Sequence, residues 1–306
     1  MPSIVSFGRY LPERILDNRE LARTLGCDLE WILQSSGIEE RRIAAPDETI
    51  VDLAVRAAQN CLENTPPPGL VIVASGSPER RFPGPAAEVA HRLGFAGIPA
   101  VDLPIASAGS LFGISLATQL APLYGPVLVV AAEKMSGPAS SVPLDKNVAI
   151  LFGDGAGACL VTTEPGGLEI VDSALHSDGA YSEELRLAFA GPIEMNGMAV
   201  IRHATRKLPD VINEVLRRNH VGPATVSAFL LHQANRNLID RVARALEAPP
   251  ARFYSNISRY GNTSSASMLI AASEWRESAQ LESGQTVCFA AFGAGFHWGA
   301  LLARQS

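Results

Sequence analysis

The sequence is poor in charged residues, and this excludes one large class of function. Lys, Arg, Asp and Glu together supply only 18% of the 306 residues, and the net charge at pH 7 is -6. A nucleic-acid-binding protein presents a basic patch or stripe to its ligand. We therefore expect no nucleic-acid partner for this chain.

Cysteine is also scarce. The four cysteines, Cys27, Cys61, Cys159 and Cys288, are far apart and form no CxxC pair. Cys159 and Cys288 lie in apolar runs, where a free cysteine behaves as a small core residue. We expect reduced thiols in a cytoplasmic protein, and no metal site.

Long apolar runs are absent as well. No segment approaches the ~18 apolar residues of a membrane-spanning helix. The N-terminal "MPSIVSFGRYLPE" has no basic region followed by a long apolar stretch, so no secretory signal is visible. Hydrophobic residues nevertheless make up 47% of the chain and aromatic residues only 6%. This composition predicts a large core built mainly from small aliphatic side chains.

The chain does contain short apolar runs that alternate with segments of helical period, which favours an α/β architecture. Strands are predicted over 69–76, 126–133, 149–163 and 226–233, and in the C-terminal "QTVCFAAFGAG" and "WGALLARQ". Helices are predicted over 83–94 and 234–246. "IPAVDLPIASAGSLFGISLATQLA" and "RFYSNISRYGNTSSASMLIAASEW" each predict a strand, a bend and a helix rich in small residues.

The same order of elements occurs twice along the chain. We interpret this as a duplicated α/β unit whose halves are residues 1–166 and 167–306, meeting in "TTEPGGLEI". No low-complexity segment separates them, so the two halves are expected to pack tightly.

Three corners place a polar side chain among small residues where a strand meets a helix: Ser107, His232 in "LLHQAN" and Asn262 in "YGNTSSAS". A nucleophile at a helix N-terminus is favoured by the positive end of the helix dipole. A histidine serves as base or donor near neutral pH, and an asparagine amide donates to an oxyanion. Taken singly, these residues also fit a helix N-cap, a core histidine and a turn residue.

Together the corners resemble those of the β-ketoacyl-acyl-carrier-protein synthase III family of thiolase-like condensing enzymes. "YLPERILDN", "EWILQSSGIEERRIAAPDET", "FGDGAGACLV", "LLHQANRNLID", "YGNTSSASM" and "FGAGFHWGALL" resemble family motifs in family order over essentially the whole chain. The resemblance implies two similar halves in a five-layered α-β-α-β-α fold. It agrees with the duplication inferred from the pattern.

The resemblance also implies roles for the three corner residues. In the family a cysteine takes an acyl group from acyl-CoA, and the histidine and asparagine help to decarboxylate malonyl-carrier protein. Here the last two are His232 and Asn262, and the nucleophile position is Ser107. The oxyanion hole would consist of the N–H groups of Ser107 and Ala294, where Ala294 stands in place of a family glycine.

Serine in place of cysteine is not a conservative change. A helix terminus and a histidine can hold a thiol as thiolate at neutral pH but cannot do so for an alcohol, so Ser107 needs a base during attack, for which His232 is the candidate. Three explanations are open: a natural serine enzyme that still transfers acyl groups, a cysteine deliberately replaced by serine, and a scaffold that has lost condensation.

Further positions are assigned by the resemblance to substrate and partner binding. Trp31, Lys146, Phe82 and Asn235 correspond to family positions that bind the CoA arm or close the acyl pocket. In the family, the residue at Phe82 crosses a dimer interface, so a homodimer is expected. Arg236, Arg241 and Arg244 make the helix after "HQAN" basic, which would suit an acidic carrier protein, although a solvated helix face is the simpler alternative. Ser35 and Asn237 stand where the family has arginines.

We therefore expect a 3-oxoacyl-carrier-protein synthase III-like acyltransferase of fatty-acid or polyketide priming, with acyl-CoA as substrate and no bound cofactor. The alternatives are a non-condensing acyltransferase to an alcohol or amine, and an impaired partner subunit of an active synthase. A serine hydrolase fits badly because the chain has no GxSxG motif.

Overall fold

Short buried strands and helices alternate along the chain, and the computed structural model describes all residues from 1 to 306. The strands are β1 Ser3–Tyr10, β2 Arg14–Asp17, β3 Glu40–Ile43, β4 Leu70–Ala74, β5 Ala100–Leu103, β6 Val127–Lys134, β7 Asp154–Thr162, β8 Leu168–Ser177, β9 Leu185–Leu187, β10 Ile193–Met195, β11 Ala228–Leu231, β12 Thr286–Gly293 and β13 His297–Gln305. The helices are α1 Asn18–Leu25, α2 Leu29–Ser36, α3 Ile50–Leu62, α4 Pro85–Arg92, α5 Gly109–Tyr124, α6 Ser136–Ala139, α7 Lys146–Ala149, α8 Gly197–Arg218, α9 Arg236–Ala245, α10 Ile257–Tyr260 and α11 Ser267–Ser278.

Nine strands form one sheet in the order β11-β12-β13-β8-β1-β7-β6-β4-β5. β4 is parallel to β6, and the pairs β6–β7 and β7–β1 are antiparallel. β11 is likewise parallel to β12, and the pairs β12–β13 and β13–β8 are antiparallel. The two sets are joined only where β1 pairs with β8, at Ser3 with Glu169 and Ile4 with Leu168. The sheet is therefore a pair of half-sheets of the same design.

The helices complete a layered arrangement around these half-sheets. α5 and α11 contact each other and strands of both half-sheets, and their apolar side chains belong to the central core cluster, which includes Leu111 and Leu269. α3 and α4 cover the outer face of the first half-sheet, while α8 covers the second and packs on α9. The predicted duplicated, five-layered α/β fold is confirmed.

Two predicted strands differ from the structure. The strand predicted over 149–163 begins only at Asp154, because Ala149 ends α7 and the segment after it pairs with Asn262. The strand predicted at the start of "RFYSNISRYGNTSSASMLIAASEW" does not form, because a 3₁₀ turn runs through Arg252 and α10 begins at Ile257. Only a single parallel bridge from Phe253 to Phe229 remains at the position that β5 occupies beside β4.

The division at residue 166 stays a prediction, and it lies in the turn between β7 and β8. No helix of the structure combines the length and apolar character that a membrane crossing requires.

Candidate active site

Ser107 lies at a sharp corner between β5 and α5. Its φ of 62° places it in the left-handed region, which costs a non-glycine residue roughly 1–2 kcal/mol and is concentrated at functional sites. α5 begins at Gly109, and its N-cap is Ala108 with no side-chain cap bond. The alternative that Ser107 is an N-cap is therefore wrong, and the first amides of α5 are free of a capping side chain.

The small residues around this corner are explained by close packing. A Cβ on Gly293 would lie 2.4 Å from the Ala106 carbonyl oxygen and 2.7 Å from the Ser107 Cβ. A Cβ on Gly109 would lie 2.9 Å from the Ala74 Cβ. The ends of β12 and β4 thus pack against the Ser107 corner and the start of α5 too closely for a side chain at Gly293 or Gly109.

The backbone amide of Ser107 is already engaged. Its N–H donates to the Ser264 hydroxyl oxygen over 3.0 Å, and the Ser264 N–H donates to Asn262 Oδ1 over 2.8 Å. Ser264 is buried and also left-handed, with a φ of 47°. The Ser107 side chain is 7% exposed by residue, and its hydroxyl makes no hydrogen bond within the protein.

His232 follows β11 and is held by a serine. Its Nδ1 lies 2.6 Å from Ser267 Oγ, which also accepts the Gln233 N–H over 2.9 Å. Burial lowers the pKa of His232 to about 4, so the ring is neutral near pH 7. The Ser267 hydroxyl can donate to Nδ1, which leaves a proton on Nε2, or accept from Nδ1–H, which leaves Nε2 bare. No hydrogen bond joins His232 to Ser107.

The Asn262 side chain is oriented by its neighbours. Its backbone bonds to the segment before β7, with N–H to Leu151 O at 2.9 Å and O from the Gly153 N–H at 3.1 Å. Its Oδ1 accepts from Ser264, and its Nδ2 reaches Ala234 O over a long 3.4 Å. Since the amide oxygen is occupied, the side chain presents Nδ2–H to a ligand.

Ser107, His232 and Asn262 line one cavity of about 600 Å³. Its walls are mostly apolar and include Phe152, Leu185, Met195, Val200 and Leu238. A second cavity of about 340 Å³ also reaches Ser107 and is lined by Ala106, Met135, Ile193, Ser264 and Ala294. Ser107 therefore lies between two mostly apolar cavities.

Other residues predicted for binding are distributed around this centre. Asn235 is the N-cap of α9 and lines the larger cavity. Trp31 packs on the small core cluster around Ile32 and does not line that cavity. Lys146 opens α7 on the exposed surface. Phe82 is 85% exposed.

The basic residues of α8 and α9 are only partly paired. Arg236 bonds Asp240 over 3.0 Å, whereas Arg241 and Arg244 are exposed and form no ion pair. Arg202 and Arg206, one turn apart on α8, are also exposed and unpaired, and the sequence interpretation missed them. They follow Val200 and Ile201, which line the cavity.

A buried carboxyl supports the corner and was also missed. Glu133, near the end of β6, is fully buried and accepts from Gly76 N–H, Ser77 Oγ and Ser265 Oγ. Burial raises the pKa of this carboxyl despite its donors. Glu133 links the end of β4 to the loop before α11. The serines of "GNTSSAS" appear in sequence as small packing residues, and nothing there predicts their hydrogen bonds.

Comparisons with known proteins identify the relatives of this chain. Family models described as 3-Oxoacyl-[acyl-carrier-protein (ACP)] synthase III and as its C terminal match residues 101–179 and 216–305. The β-ketoacyl-[acyl-carrier-protein] synthase III of Gloeobacter violaceus is 37% identical over 331 aligned residues, covering 99% of both chains. That of Oleidesulfovibrio alaskensis is 35% identical over 328, covering 98% of both.

Solved structures give the same result. The crystal structure of 3-oxoacyl-[acyl-carrier-protein] synthase III from Aquifex aeolicus matches with a TM-score of 0.94 and 35% identity, covering 99% of this chain and 100% of that chain. The priming β-ketosynthase of the R1128 polyketide pathway matches with a TM-score of 0.90 and 29% identity, covering 100% of this chain and 96% of that chain.

Proposed function

This chain belongs to the 3-oxoacyl-[acyl-carrier-protein] synthase III family, and from that premise we propose a reaction in which Ser107 carries the acyl group. The enzyme takes an acyl group from acyl-CoA and condenses it with malonyl-carrier protein, as in fatty-acid or polyketide priming. The proposal for Ser107 rests on one observation. Residues of both halves, Ser107 with His232 and Asn262, line a single apolar cavity.

In the first step Ser107 Oγ attacks the thioester carbonyl carbon of acyl-CoA. A C–O bond forms, the C–S bond breaks, and CoA leaves as a thiol with the proton that Ser107 loses. An alcohol needs a base during this attack, and His232 is the histidine of the cavity. Because burial lowers its pKa to about 4, His232 is neutral and can accept the proton when its Nδ1–H donates to Ser267.

In the second step malonyl-carrier protein loses carbon dioxide and becomes a thioester enolate. The developing enolate oxygen needs donors in a water-poor site, and His232 Nε2–H and Asn262 Nδ2–H supply them. The enolate carbon then attacks the ester carbonyl on Ser107. A C–C bond forms, the C–O bond to Ser107 Oγ breaks, and the Ser107 alkoxide takes up one proton from solvent. Since the Ser267 hydroxyl can donate or accept, it accommodates both tautomers that the two steps require.

The carrier protein is proposed to approach over α8 and α9. Arg202, Arg206, Arg241 and Arg244 are exposed, unpaired cations on these two helices, and the helices pack against each other. An acidic partner would be steered to such a surface. The adjacent mouth of the cavity is apolar at Val200 and Ile201, which suits a flexible acyl-bearing arm.

A second copy of this chain is proposed to close the acyl pocket. Phe82 is 85% exposed, and the neighbouring Arg81 guanidinium lies 4.8 Å from the Phe189 ring centre. Phe189 lines a shallow pocket that shares Leu187 with the cavity beyond Ser107. An exposed phenylalanine near an open pocket that adjoins an apolar cavity is suited to a self-complementary, two-fold interface.

Intact-protein mass spectrometry after incubation with a panel of acyl-CoAs tests the reaction. We expect an acyl adduct on the peptide that contains Ser107, and ketoacyl-carrier product when malonyl-carrier protein is added. No adduct with any acyl-CoA would contradict the proposed role of Ser107.

The main rival is a partner subunit that decarboxylates malonyl-carrier protein but is not acylated. It is favoured by the absence of a hydrogen bond between Ser107 and His232, although catalytic hydrogen bonds are often loose without substrate. Carbon dioxide release without any adduct, together with co-purification of a cysteine-bearing homologue, would support the rival.

A further inference from the structure

Ser264 occupies the place where one donor of an oxyanion hole would act. The Ser107 N–H, which would face the negative oxygen formed during attack on the thioester, already donates to Ser264 Oγ over 3.0 Å. Ser264 is 1% exposed and lines the smaller cavity together with Ser107 and Ala294. An oxyanion at this corner must therefore either displace the Ser264 hydroxyl or bind to it.

The hydrogen bonds of Ser264 favour the second possibility, in which the oxyanion binds to the Ser264 hydroxyl. A hydroxyl group has one proton and two acceptor lone pairs. Ser264 Oγ receives the Ser107 N–H, and no acceptor within the protein takes its own proton. A hydroxyl that accepts a hydrogen bond becomes a stronger donor through polarisation. Its proton is thus available beside the Ser107 side chain.

The backbone holds Ser264 in this place at a cost. Its φ of 47° lies in the left-handed region, and its N–H is fixed by Asn262 Oδ1 at 2.8 Å. A non-glycine residue persists in that conformation where the surroundings over-determine it. Asn262 thus orients the residue that contacts the nucleophile.

We propose that Ser264 is a catalytic residue whose hydroxyl donates to the oxyanion when Ser107 is acylated, as the outer member of a relay from the Ser107 N–H. This rests on the proposed acylation of Ser107 and replaces the direct donation that the resemblance implied for the Ser107 amide. The thioester carbonyl pair moves to oxygen, that oxygen accepts the Ser264 proton in a hydrogen bond, and no proton is transferred. The pair returns when the C–S bond breaks.

The two partial reactions separate this role from a structural one. Acylation of Ser107 uses the oxyanion site beside Ser264, whereas decarboxylation of malonyl-carrier protein uses His232 and Asn262. Ser264→Ala removes the hydroxyl and keeps the backbone N–H that donates to Asn262 Oδ1. Ser264→Gly does the same and also relieves the left-handed backbone. Ser110→Ala is the matched control, because Ser110 is fully buried on α5 and its hydroxyl has no partner.

The experiment measures single-turnover acylation by mass spectrometry and carbon dioxide release from malonyl-carrier protein for all four proteins. We expect both Ser264 variants to acylate roughly 10²-fold or more slowly, the usual loss for one oxyanion donor. Carbon dioxide release should stay within about twofold of wild type, and Ser110→Ala should match wild type in both reactions.

Acylation as fast as wild type, or faster, in the Ser264 variants would overturn the proposal, since the hydroxyl would then only block the amide. An equal fall in both partial reactions would also overturn it, since Ser264 would then act by supporting Asn262. If Ser264→Ala does not fold, the same two outcomes are judged on Ser264→Gly. Wild type that forms no adduct would instead refute the proposed function.

Discussion

The corner before α5 and the corner before α11 occupy corresponding places in the two halves, and they differ in how their polar groups are used. Each corner has a buried serine in the left-handed region, Ser107 in the first half and Ser264 in the second. The two serines touch through one hydrogen bond. The Ser107 hydroxyl makes no hydrogen bond within the protein, whereas the Ser264 hydroxyl is held against the Ser107 amide.

The strand ends beside these corners differ in the same way. Ser75 follows β4 and His232 follows β11, at corresponding places in the half-sheets. In the first half Glu133 accepts hydrogen bonds from Gly76 and Ser77, and it also accepts one from Ser265 of the second half. In the second half, the His232 ring forms a hydrogen bond through Nδ1 only. Its Nε2 is therefore left for a ligand. The two half-sheets share one design, and the proposed reaction uses Ser107 from the first half with His232 and Asn262 from the second.

The largest effect is expected when the polar side chain at each of the two strand ends is replaced by alanine. We expect His232→Ala to lower decarboxylation of malonyl-carrier protein roughly 10²–10³-fold, the loss typical of one oxyanion donor. Ser75→Ala, at the corresponding position, should retain activity within about threefold, since Ser75 Oγ makes only two long hydrogen bonds, to Glu133 over 3.5 Å and from the Ser77 N–H over 3.3 Å. Carbon dioxide release measures both. Equal losses in the two variants would remove His232 from the site.

The next largest effect concerns the nucleophile. Ser107→Cys should raise formation of ketoacyl product at least about tenfold, because a thiol ionises near neutral pH at a helix terminus and a thioester is more reactive than an ester. Ser107→Ala should form no acyl adduct. Assays of acylation and product formation compare the three proteins. If Ser107→Ala matched wild type in every activity, Ser107 would be a packing residue.

If the protein is instead dedicated to forming oxygen esters, the same variant behaves differently. Ser107→Cys would then acylate readily and release product more slowly to its natural acceptor. The ratio of acylation rate to product rate therefore separates condensation from transfer to an alcohol or amine.

The molar mass in solution, which differs twofold between a dimer and a monomer, tests whether the acyl pocket is shared between two copies of the chain. We expect wild type to behave as a dimer of the 32.4 kDa chain by light scattering at micromolar concentration. Phe82→Asp should shift it to monomer, because a carboxylate would have to be buried in an apolar pocket. Met198→Asp is the control, since Met198 is equally exposed, at 85%, on α8. A monomeric wild type would contradict the assignment of Phe82.

Much of the fold was predictable from the sequence. The bounds of the strands β4, β6 and β12 and of the helices α4 and α9 differ from the predicted bounds by one or two residues, because their apolar runs and Pro or Gly boundaries are local signals. The strand predicted at the start of "RFYSNISRYGNTSSASMLIAASEW" was wrong, because two neighbouring helical turns leave too few residues for it. Whether such a segment forms a strand or helical turns depends on the neighbouring residues, and strand propensity alone does not decide between them.

The site was predictable only in part. Ser107, His232 and Asn262 stand out as polar residues among small ones, and the structure brings them to one cavity. Ser264, Ser267 and Glu133 gave no such signal, because a serine in a small-residue helix start is equally suited to packing. Their roles depend on which hydroxyl meets which backbone amide, and that is set by how α11 docks against α5, more than a hundred residues away along the chain.

The smallest expected change is in the pH dependence, and it follows from the burial that distinguishes His232 from exposed histidines. Burial lowers its pKa from 6.5 to about 4, so the ring stays neutral above about pH 5. Decarboxylation should therefore vary by less than about twofold between pH 5.5 and 7.5 from this group.

The unfolded chain binds a proton on His232 near pH 6.5 and the folded chain does not, so the free energy of unfolding falls as pH drops from 6.5 toward 4. Denaturant unfolding at pH 7 and pH 5 should show wild type losing on the order of 2 kcal/mol more than His232→Gln. Equal losses, or a decarboxylation rate that titrates near pH 6.5, would mean that the ring is open to water and is not held neutral by its burial.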